Sequence, residues 1–499
     1  MNSLDSKKKT IGIVSHTYKT LTVVFSLEKD IINAIYCSND APKLSKVIVE
    51  YEEKCDKLIG TIIKEGYNIS ESIDDDELLI FLYNLKECSE IKLNKKDPYI
   101  DKRKDLTELF TITIDPKGSK DLDDALSITS DRLYIHIADV TSYLKDPSHI
   151  LPRANTYYLR SSNVPMLPRS LSDNLISLLP GETKRAITLE FDLEDFELVD
   201  YYPSTIINNY QLTYEDVDDI LIGHMDAPSI DIPQAVLDLV KCYNRHKKNN
   251  RITLNDYQTT SHKMIEEFMV HANCVVAELI SNTVYRHHGE PYPNKAGYLQ
   301  RFIGYQLHAK INLTVEDLGE NLNKLPSNQT STLEHLTKHM MSKAIYTLDK
   351  KSHWALNEKY YTHFTSPIRR ASDILVHYDL MKRYICNKED YINSLNEGES
   401  VQATIENILH ELDFRRNIDN EKYECCVVKV TTKGVDVYIP RLDYTHSFHI
   451  TECSDGTFLE YKDGELSGGS FKYNLGRMLN VELLDFNQAS AKCNIVIIF

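Results

Sequence analysis

Residues 115 to 124 read Asp-Pro-Lys-Gly-Ser-Lys-Asp-Leu-Asp-Asp, which sets four carboxylates, Asp115, Asp121, Asp123 and Asp124, into one short segment. Pro116 and Gly118 rule out a regular helix there. A β-branched run, Phe110 to Ile114, precedes the segment, and two further strand-like runs, Ala125 to Thr129 and Leu133 to Ile137, follow it. The acids therefore belong to a turn gripped between strands, with their mutual distances fixed. Two carboxylates about 4 Å apart repel by roughly 4 kcal/mol at an effective dielectric near 20. Four together need cations, and oxygen donors without His or Cys favour Mg²⁺, Mn²⁺ or Ca²⁺ over zinc. The bland alternative is a solvated acidic loop.

A second segment, Tyr360 to Arg370, leads into Ala371-Ser372-Asp373-Ile374-Leu375-Val376-His377. Ser366-Pro367 reads as a helix entry, with a hydroxyl to cap the first orphan N–H groups and Pro where no donor is needed. The free N–H groups, the positive helix end and the Arg369 and Arg370 side chains would make an anion pocket suited to phosphate. Ile368, Ser372, Leu375 and Val376 fall near helical spacing, so one face packs inward. The competing reading leaves the two arginines as surface charges of an amphipathic helix.

Taken together these residues resemble the signature segments of the RNase II (RNB) exoribonucleases. The resemblance is carried by Thr113 to Pro116, Lys120 to Ala125, Ile135-His136-Ile137-Ala138-Asp139-Val140 and His363 to Arg370. Tyr158-Leu159 with Val164 to Pro168, Leu171 and Ser172 is similar to the stretch that places a base-stacking tyrosine. Glu266-Glu267 with Ala272-Asn273 is similar to a glutamate-rich helix. The segments keep the family order over roughly residues 100 to 425.

The resemblance implies that Asp115, Asp121, Asp123 and Asp124 hold one or two Mg²⁺ (Mn²⁺ as a substitute) at a scissile phosphate, with Asp123 the residue whose loss blocks cleavage most completely. Asp123 and Asp124 are neighbours whose side chains point different ways, so the division of labour between them stays open. Arg369 would neutralise charge growing on the phosphoryl oxygens. Arg370 would orient or brace, Tyr158 would stack on a terminal base, and Ser366 and Glu421 complete the RNA-contacting set. His136 and His363 read as structural histidines, and Asp139 as a backbone cap. The implied activity is processive hydrolysis of single-stranded RNA from the 3′ end to nucleoside 5′-monophosphates. An RNB-fold RNA-binding or scaffold protein without activity is the alternative, although no signature acid or arginine is missing.

With 499 residues and 42% hydrophobic composition, two or three domains with real cores are expected. The fold class is α+β, a catalytic domain at residues 101–415 flanked by small OB-like β-barrels at 1–100 and 416–499. The N-terminal region is short for the family and has room for one barrel, or for two heavily trimmed ones. Helices are expected over residues 69–88, Glu266 to Ile280, Thr332 to Asp349 and Tyr391 to Phe414, and period-two strands after Arg416. The net charge of −17 argues against strong binding to long duplexes. Local basic pairs remain at Lys95-Lys96, Lys102-Arg103-Lys104, residues 245–251, Arg369-Arg370 and Arg415-Arg416, most of them read as solvated faces. Ten cysteines without a Cys-x-x-Cys pair fit a reducing, cytoplasmic setting. No apolar run is long enough to span a bilayer. The expected partner is single-stranded RNA, with no membrane, and the chain is expected to be a monomer, assembly into a larger RNA-decay complex being left open.

Overall fold

The computed structural model describes residues 7–18, 20–89, 91–224, 229, 231–248, 259–307, 314–315, 330–383, 385, 387–419, 421–450, 459–462, 465–468, 471–490 and 492–498. Its first five strands are β1 (Lys8–Tyr18), β2 (Leu21–Ser26), β3 (Ile35–Cys37), β4 (Ser45–Lys54) and β5 (Lys57–Asn68). They close into a barrel in the order β1-β2-β3-β5-β4, so the N-terminal region holds one barrel. On β4 the strand period of two sends Val47 and Val49 into the barrel core and Ile48 out against the helix that follows. That helix, α1 (Asp75–Tyr83), is shorter than the expected 69–88. It ends at Asn84, whose left-handed backbone (φ 50°) closes the last turn. At its start Asp74 does not cap, because its carboxylate is taken by Lys46 Nζ and the Tyr67 N–H.

The centre of the molecule is a mixed seven-stranded sheet of β6 (Lys104–Asp105), β7 (Thr111–Asp115), β8 (Asp124–Ile128), β9 (Arg132–Ala138), β12 (Thr183–Asp192), β13 (Leu198–Ile207) and β14 (Tyr210–Thr213), ordered β14-β7-β8-β9-β12-β13-β6. Between β9 and β12 the chain makes the short helix α2 (Val140–Tyr143) and a small hairpin of β10 (Tyr157–Tyr158) and β11 (Asn163–Val164). Ile135, Ile187, Leu189 and Phe191 face α4 (Asp231–His246) and α5 (Thr260–Leu279), meeting Val236, Leu239, Met264 and Phe268; α3 (Tyr214–Leu221) packs on the same side. The alternate positions Ala125, Ala138 and Ala186 face α8 (Ala371–Leu380), whose Ile374 and Leu375 fill the other core. Each large side chain taken out of water contributes roughly 1.5–3 kcal/mol, enough for this core to carry a group of buried carboxylates at its edge.

Helix α6 (Pro293–Leu307) precedes α7 (Thr330–Met340). The helix expected over Thr332 to Asp349 thus stops at Met340, and Ile345–Thr347 instead forms β16, paired antiparallel with β15 (Tyr285–His287). Helix α9 (Glu389–Asn417) runs two residues past the expected 415 boundary. Beyond it β17 (Lys422–Thr431), β18 (Gly434–Ile439), β19 (Tyr444–His449), β23 (Met478–Asn487) and β24 (Lys492–Ile498) make a sheet ordered β19-β18-β17-β23-β24. The strands β20 (Glu460–Lys462), β21 (Glu465–Gly468) and β22 (Phe471–Tyr473) form a separate one. Among the described residues this five-stranded ladder is not closed. Among the described residues no helix is long and apolar enough to cross a membrane, and seven cysteines are free thiols.

Lys95, Lys96, Lys102, Lys104, Arg245, Lys247 and Lys248 are exposed, as read, whereas the side chains of Arg103, Arg415 and Arg416 are largely buried. Arg103 pairs with Asp97 and Asp139, and Arg415 donates to the Ala489 carbonyl at 2.7 Å and to Glu411. Residues 249–251 of the basic run lie outside the described residues. Arg416 belongs to a network that ties the barrel to the rest. The fully buried Asp75 receives Lys46 Nζ at 2.7 Å, Arg160 Nε at 2.7 Å and both Arg416 Nη atoms at 2.7 and 2.8 Å. Burial pushes the Asp75 carboxyl up, but the Arg416 and Lys46 bonds outweigh it and hold it below the usual range. A carboxyl lowered in the folded state contributes stability above its unfolded value, about 3.9, and that stability is lost as pH falls through the lower folded value. We therefore expect the melting midpoint to fall on acidification below about pH 4. Asp75→Asn should lose about 3–5 kcal/mol at neutral pH, as when one partner of a buried ion pair is removed, and should show a flatter acid limb. Thermal melts of both proteins across the acid range check this; equal acid limbs would contradict it.

Candidate active site

The four acids do lie on a strand–turn–strand unit. β7 ends at Asp115, β8 begins at Asp124, and the connecting turn bends at Gly118 in a left-handed conformation (φ 86°). The β7–β8 ladder covers only Thr111↔Ser127 and Ile112↔Leu126, so the two strands part before the acids. The far half of β7 pairs in parallel with β14 instead, with Thr213 opposite Asp115. Leu122, fully buried, is anchored by its N–H to Ser177 Oγ, and Ala138 N–H donates to the Asp123 carbonyl at 2.8 Å. The turn is therefore pinned on both sides.

Asp123 is 4% exposed and meets the second segment across 245 residues of sequence: Ile368 N–H donates to its Oδ1 at 2.8 Å. Arg369 Nε lies 3.4 Å from its Oδ2, while Arg369 Nη2 donates to Ser366 Oγ at 3.0 Å. Arg369 remains 43% exposed, so its guanidinium faces open space with one edge braced. Burial pushes the Asp123 carboxyl well above its usual range despite Arg369 and the Ile368 N–H. Asp115 and Asp124 are pushed up as well, by burial first; Asp123 and Asp121 then add to the effect on Asp115, and Asp115 adds to that on Asp124. Asp115 Oδ2 is buried with no hydrogen-bond partner. An orphaned, buried carboxylate oxygen among other acids is the local electrostatics that a hard cation relieves. Among the described residues no three His, Cys, Asp or Glu side chains stand together as a ready-made metal cage, although the all-carboxylate donor set is of the kind that suits such a cation.

The helix entry lies later than expected. Ser366 to Arg369 form a turn, and α8 begins at Ala371 with Arg370 as its N-cap. The reason is tertiary: Arg370 is extended (φ −134°, ψ 125°), with the Ala371 N–H given to the Ala154 carbonyl at 2.8 Å and the Arg369 carbonyl taking the Thr156 N–H at 2.9 Å, so the turn pairs with the neighbouring strand before the helix can continue. Asp373 and Asp123 take the otherwise orphan N–H groups of Ser366 and Ile368. Ser366 is buried and supports Arg369 instead of capping. Arg370 pairs with Asp373 at 2.9 Å, and burial, the largest influence, is outweighed by that partner, which keeps the guanidinium charged.

Tyr158 is 39% exposed, with its hydroxyl 3.4 Å from Asp121 Oδ2. Its strand is tied to the arginine turn, because Thr156 N–H donates to the Arg369 carbonyl at 2.9 Å and Ala371 N–H to that of Ala154 at 2.8 Å. Glu421 lies just before β17 and pairs with Arg441 at 2.8 Å. His136 is buried between Ser127 and Thr188 hydroxyls, His363 bonds the Tyr346 hydroxyl, and Asp139 caps α2 at the Ser142 N–H while pairing with Arg103.

Tyr214 escaped the sequence reading. It opens α3 directly after Thr213, stacks on His262 with ring centroids 3.7 Å apart, and has its phenol raised by burial, Asp124 and Asp115. The local signal was the Thr213/Asp216 capping box, which locates the helix but not its nearness to the acids; that needs the parallel β14–β7 pairing.

The RNB domain matches residues 103–385. The chain is 30% identical over 415 residues to Ribonuclease R of Chlamydia pneumoniae, covering 72% of this chain and 58% of that protein. It thus spans less than two thirds of that relative's length. Its fold is similar to that of Mycoplasma genitalium RNase R in complex with ribose-methylated single-stranded RNA, with TM-score 0.79 and 19% identity over 99% of this chain and 90% of that one. It is also similar to yeast Ssd1, a pseudonuclease, with TM-score 0.69 and 18% identity over 90% of this chain and 66% of that one. The strand–turn–strand acids and the arginine turn that meets them both fall inside the matched segment, and the chain belongs to the RNB domain family.

Proposed function

We propose that this chain is a divalent-metal-dependent hydrolytic exoribonuclease that shortens single-stranded RNA from its 3′ end and releases nucleoside 5′-monophosphates processively. The observation that carries the reading is the meeting of Asp123 with Ile368 N–H and Arg369 beside the orphaned Asp115 carboxylate. Asp115, Asp121, Asp123 and Asp124 would hold Mg²⁺, with Mn²⁺ as a substitute. When bound, that ion lowers the pKa of a water and stabilises the departing 3′ oxygen. The half-exposed Arg369 guanidinium would sit against the phosphoryl oxygens, held by Asp123 and Ser366, so its charge needs little reorganisation as the phosphate gains charge. Arg370, locked on Asp373, braces the turn. Tyr158 would stack on a base near the 3′ end, and stacking accepts any base. Glu421, just before the C-terminal sheet, would contact RNA near the mouth of the site. The regions at 1–100 and 416–499 would guide the strand to a catalytic region at 101–415, in a reducing cytoplasmic setting.

The similarity to a pseudonuclease favours a second reading, an RNA-binding protein without activity. All four acids and the arginine are present here, which supports the enzyme. Single-stranded RNA and DNA of one sequence, incubated with Mg²⁺ or with EDTA, separate the two readings. Cleavage of RNA only, and only with Mg²⁺, is expected; binding of RNA without cleavage under every metal condition would favour the inactive protein.

Tyr158→Ala should lose about 1–3 kcal/mol of stacking and so raise KM for RNA with little change in kcat. Tyr158→Phe should behave as wild type, because the hydroxyl contact to Asp121 is long. Steady-state kinetics on oligomers check this, and an unchanged KM in the alanine variant would remove Tyr158 from the substrate path.

A further inference from the structure

Asp76, on the first turn of α1, collects its hydrogen bonds from one loop. Its Oδ1 accepts from Arg160 N–H at 2.8 Å, and its Oδ2 from Ser161 N–H at 3.1 Å, Ser161 Oγ at 2.8 Å and Ser162 Oγ at 2.8 Å. That loop is the tip of the β10–β11 hairpin, closed by Tyr157↔Val164, Tyr158↔Asn163 and the bond from Leu159 N–H to the Ser162 carbonyl. At the other end Gln402 of α9 accepts from Tyr158 N–H at 3.0 Å and donates to the Tyr158 carbonyl at 3.3 Å. Arg160 turns its side chain away to Asp75 and Asp413, so the tip is gripped by backbone, hydroxyl and guanidinium alike. Burial pushes the Asp76 carboxyl up, yet the Ser161, Ser162 and backbone donors outweigh it and keep it ionised. A carboxylate that only needed solvation at a helix start would not gather donors from a single distant loop. The ring that this loop carries is itself exposed beside Asp121.

We propose that Asp76 is a positioning residue that clamps the hairpin tip and thereby presents the Tyr158 ring for stacking on the RNA base. The proposal rests on the stacking reading of Tyr158 and goes beyond it, because it gives a substrate-organising role to a helix outside the RNB-matched residues 103–385. Without the clamp, the hairpin must be ordered at the moment of binding, which lowers affinity and leaves the later chemistry unchanged.

The test uses the full chain as wild type, Asp76→Ala, the Ser161→Ala/Ser162→Ala pair, Tyr158→Ala, and each clamp change combined with Tyr158→Ala. Affinity for a fluorescent single-stranded RNA oligomer in EDTA is read beside KM and kcat in Mg²⁺ and a thermal melt. Asp76→Ala should weaken binding and raise KM about three- to tenfold, the scale of ordering a short segment on binding, with kcat essentially unchanged. The serine pair, which keeps the two N–H contacts, should lose less. In the Tyr158→Ala background neither change should weaken binding further, since the ring being positioned is gone. A loss that persists in full in that background would overturn the clamp, as would wild-type affinity in both Asp76→Ala and the serine pair while Tyr158→Ala binds weakly; the stacking reading would survive either result. If Asp76→Ala does not fold, the serine pair carries the same comparison, and its wild-type affinity overturns the clamp. Wild-type binding by Tyr158→Ala would instead defeat the stacking reading, and the proposal with it.

Discussion

Asp123→Asn should yield a folded protein whose RNA cleavage is about a thousandfold slower or worse, the equivalent of losing about 4 kcal/mol of transition-state stabilisation. Asparagine keeps an Oδ1 that can accept the Ile368 N–H, so the turn should hold its shape. What it loses is the negative charge that faces Arg369 and, in the proposed function, would serve as a hard-cation ligand. The stability effect should run the other way. Burial raises the Asp123 carboxyl in the folded state, so ionising it there opposes folding, and the neutral amide avoids that cost. The melting midpoint should therefore match or exceed that of the metal-free wild type while kcat collapses. A destabilised variant that keeps its activity would contradict both halves of the argument. Asp124→Asn measured beside it reports the division of labour between the two neighbours.

Arg369 should be nearly as sensitive. Arg369→Ala is expected to cut kcat about 10²–10³-fold, the scale seen when one preorganised donor is removed from a transition state, while affinity for RNA in EDTA changes far less. Arg369→Lys should not rescue it. The native guanidinium spans Asp123 with Nε and Ser366 with Nη2, a two-point brace that a single ammonium cannot reproduce. Ser366→Ala should be milder, since Asp123 still holds the other edge. Single-turnover kinetics with saturating enzyme separate these effects on chemistry from effects on binding, and near-wild-type chemistry in Arg369→Ala would remove the arginine from the reaction.

The acidic turn was legible because its determinants are local: β-branched runs on either side, and Pro116 and Gly118 between. The barrel, α5 and α9 were readable for the same reason, since their hydrophobic periods lie within each element. The start of α8 was not, because Arg370 is held extended by the pairing of its neighbours Arg369 and Ala371 with Thr156 and Ala154, more than two hundred residues away in sequence. The strand at Ile345–Thr347 was hidden because its β character comes from pairing with Tyr285–His287, some sixty residues away in sequence. Arg103, Arg415 and Arg416 looked like solvated charge because Asp139, the Ala186 and Ser204 carbonyls, the Ala489 carbonyl and Asp75, which help to bury them, lie far along the chain. Tyr214 was missed on the same grounds, its place beside the acids depending on a parallel pairing that leaves no short-range mark.

The central claim is that the acid–arginine site hydrolyses RNA from its 3′ end, and end-labelled substrates test it most directly. One single-stranded RNA, labelled at either the 5′ or the 3′ terminus, is digested by the wild-type chain in Mg²⁺ with Asp123→Asn in parallel, and products are resolved at the earliest times. The account predicts immediate release of a labelled nucleoside 5′-monophosphate from the 3′-labelled RNA, progressive shortening of the 5′-labelled RNA, and neither with Asp123→Asn. Release of a labelled mononucleotide from the 5′ end, internal fragments from both substrates, or equal activity in the variant would contradict it.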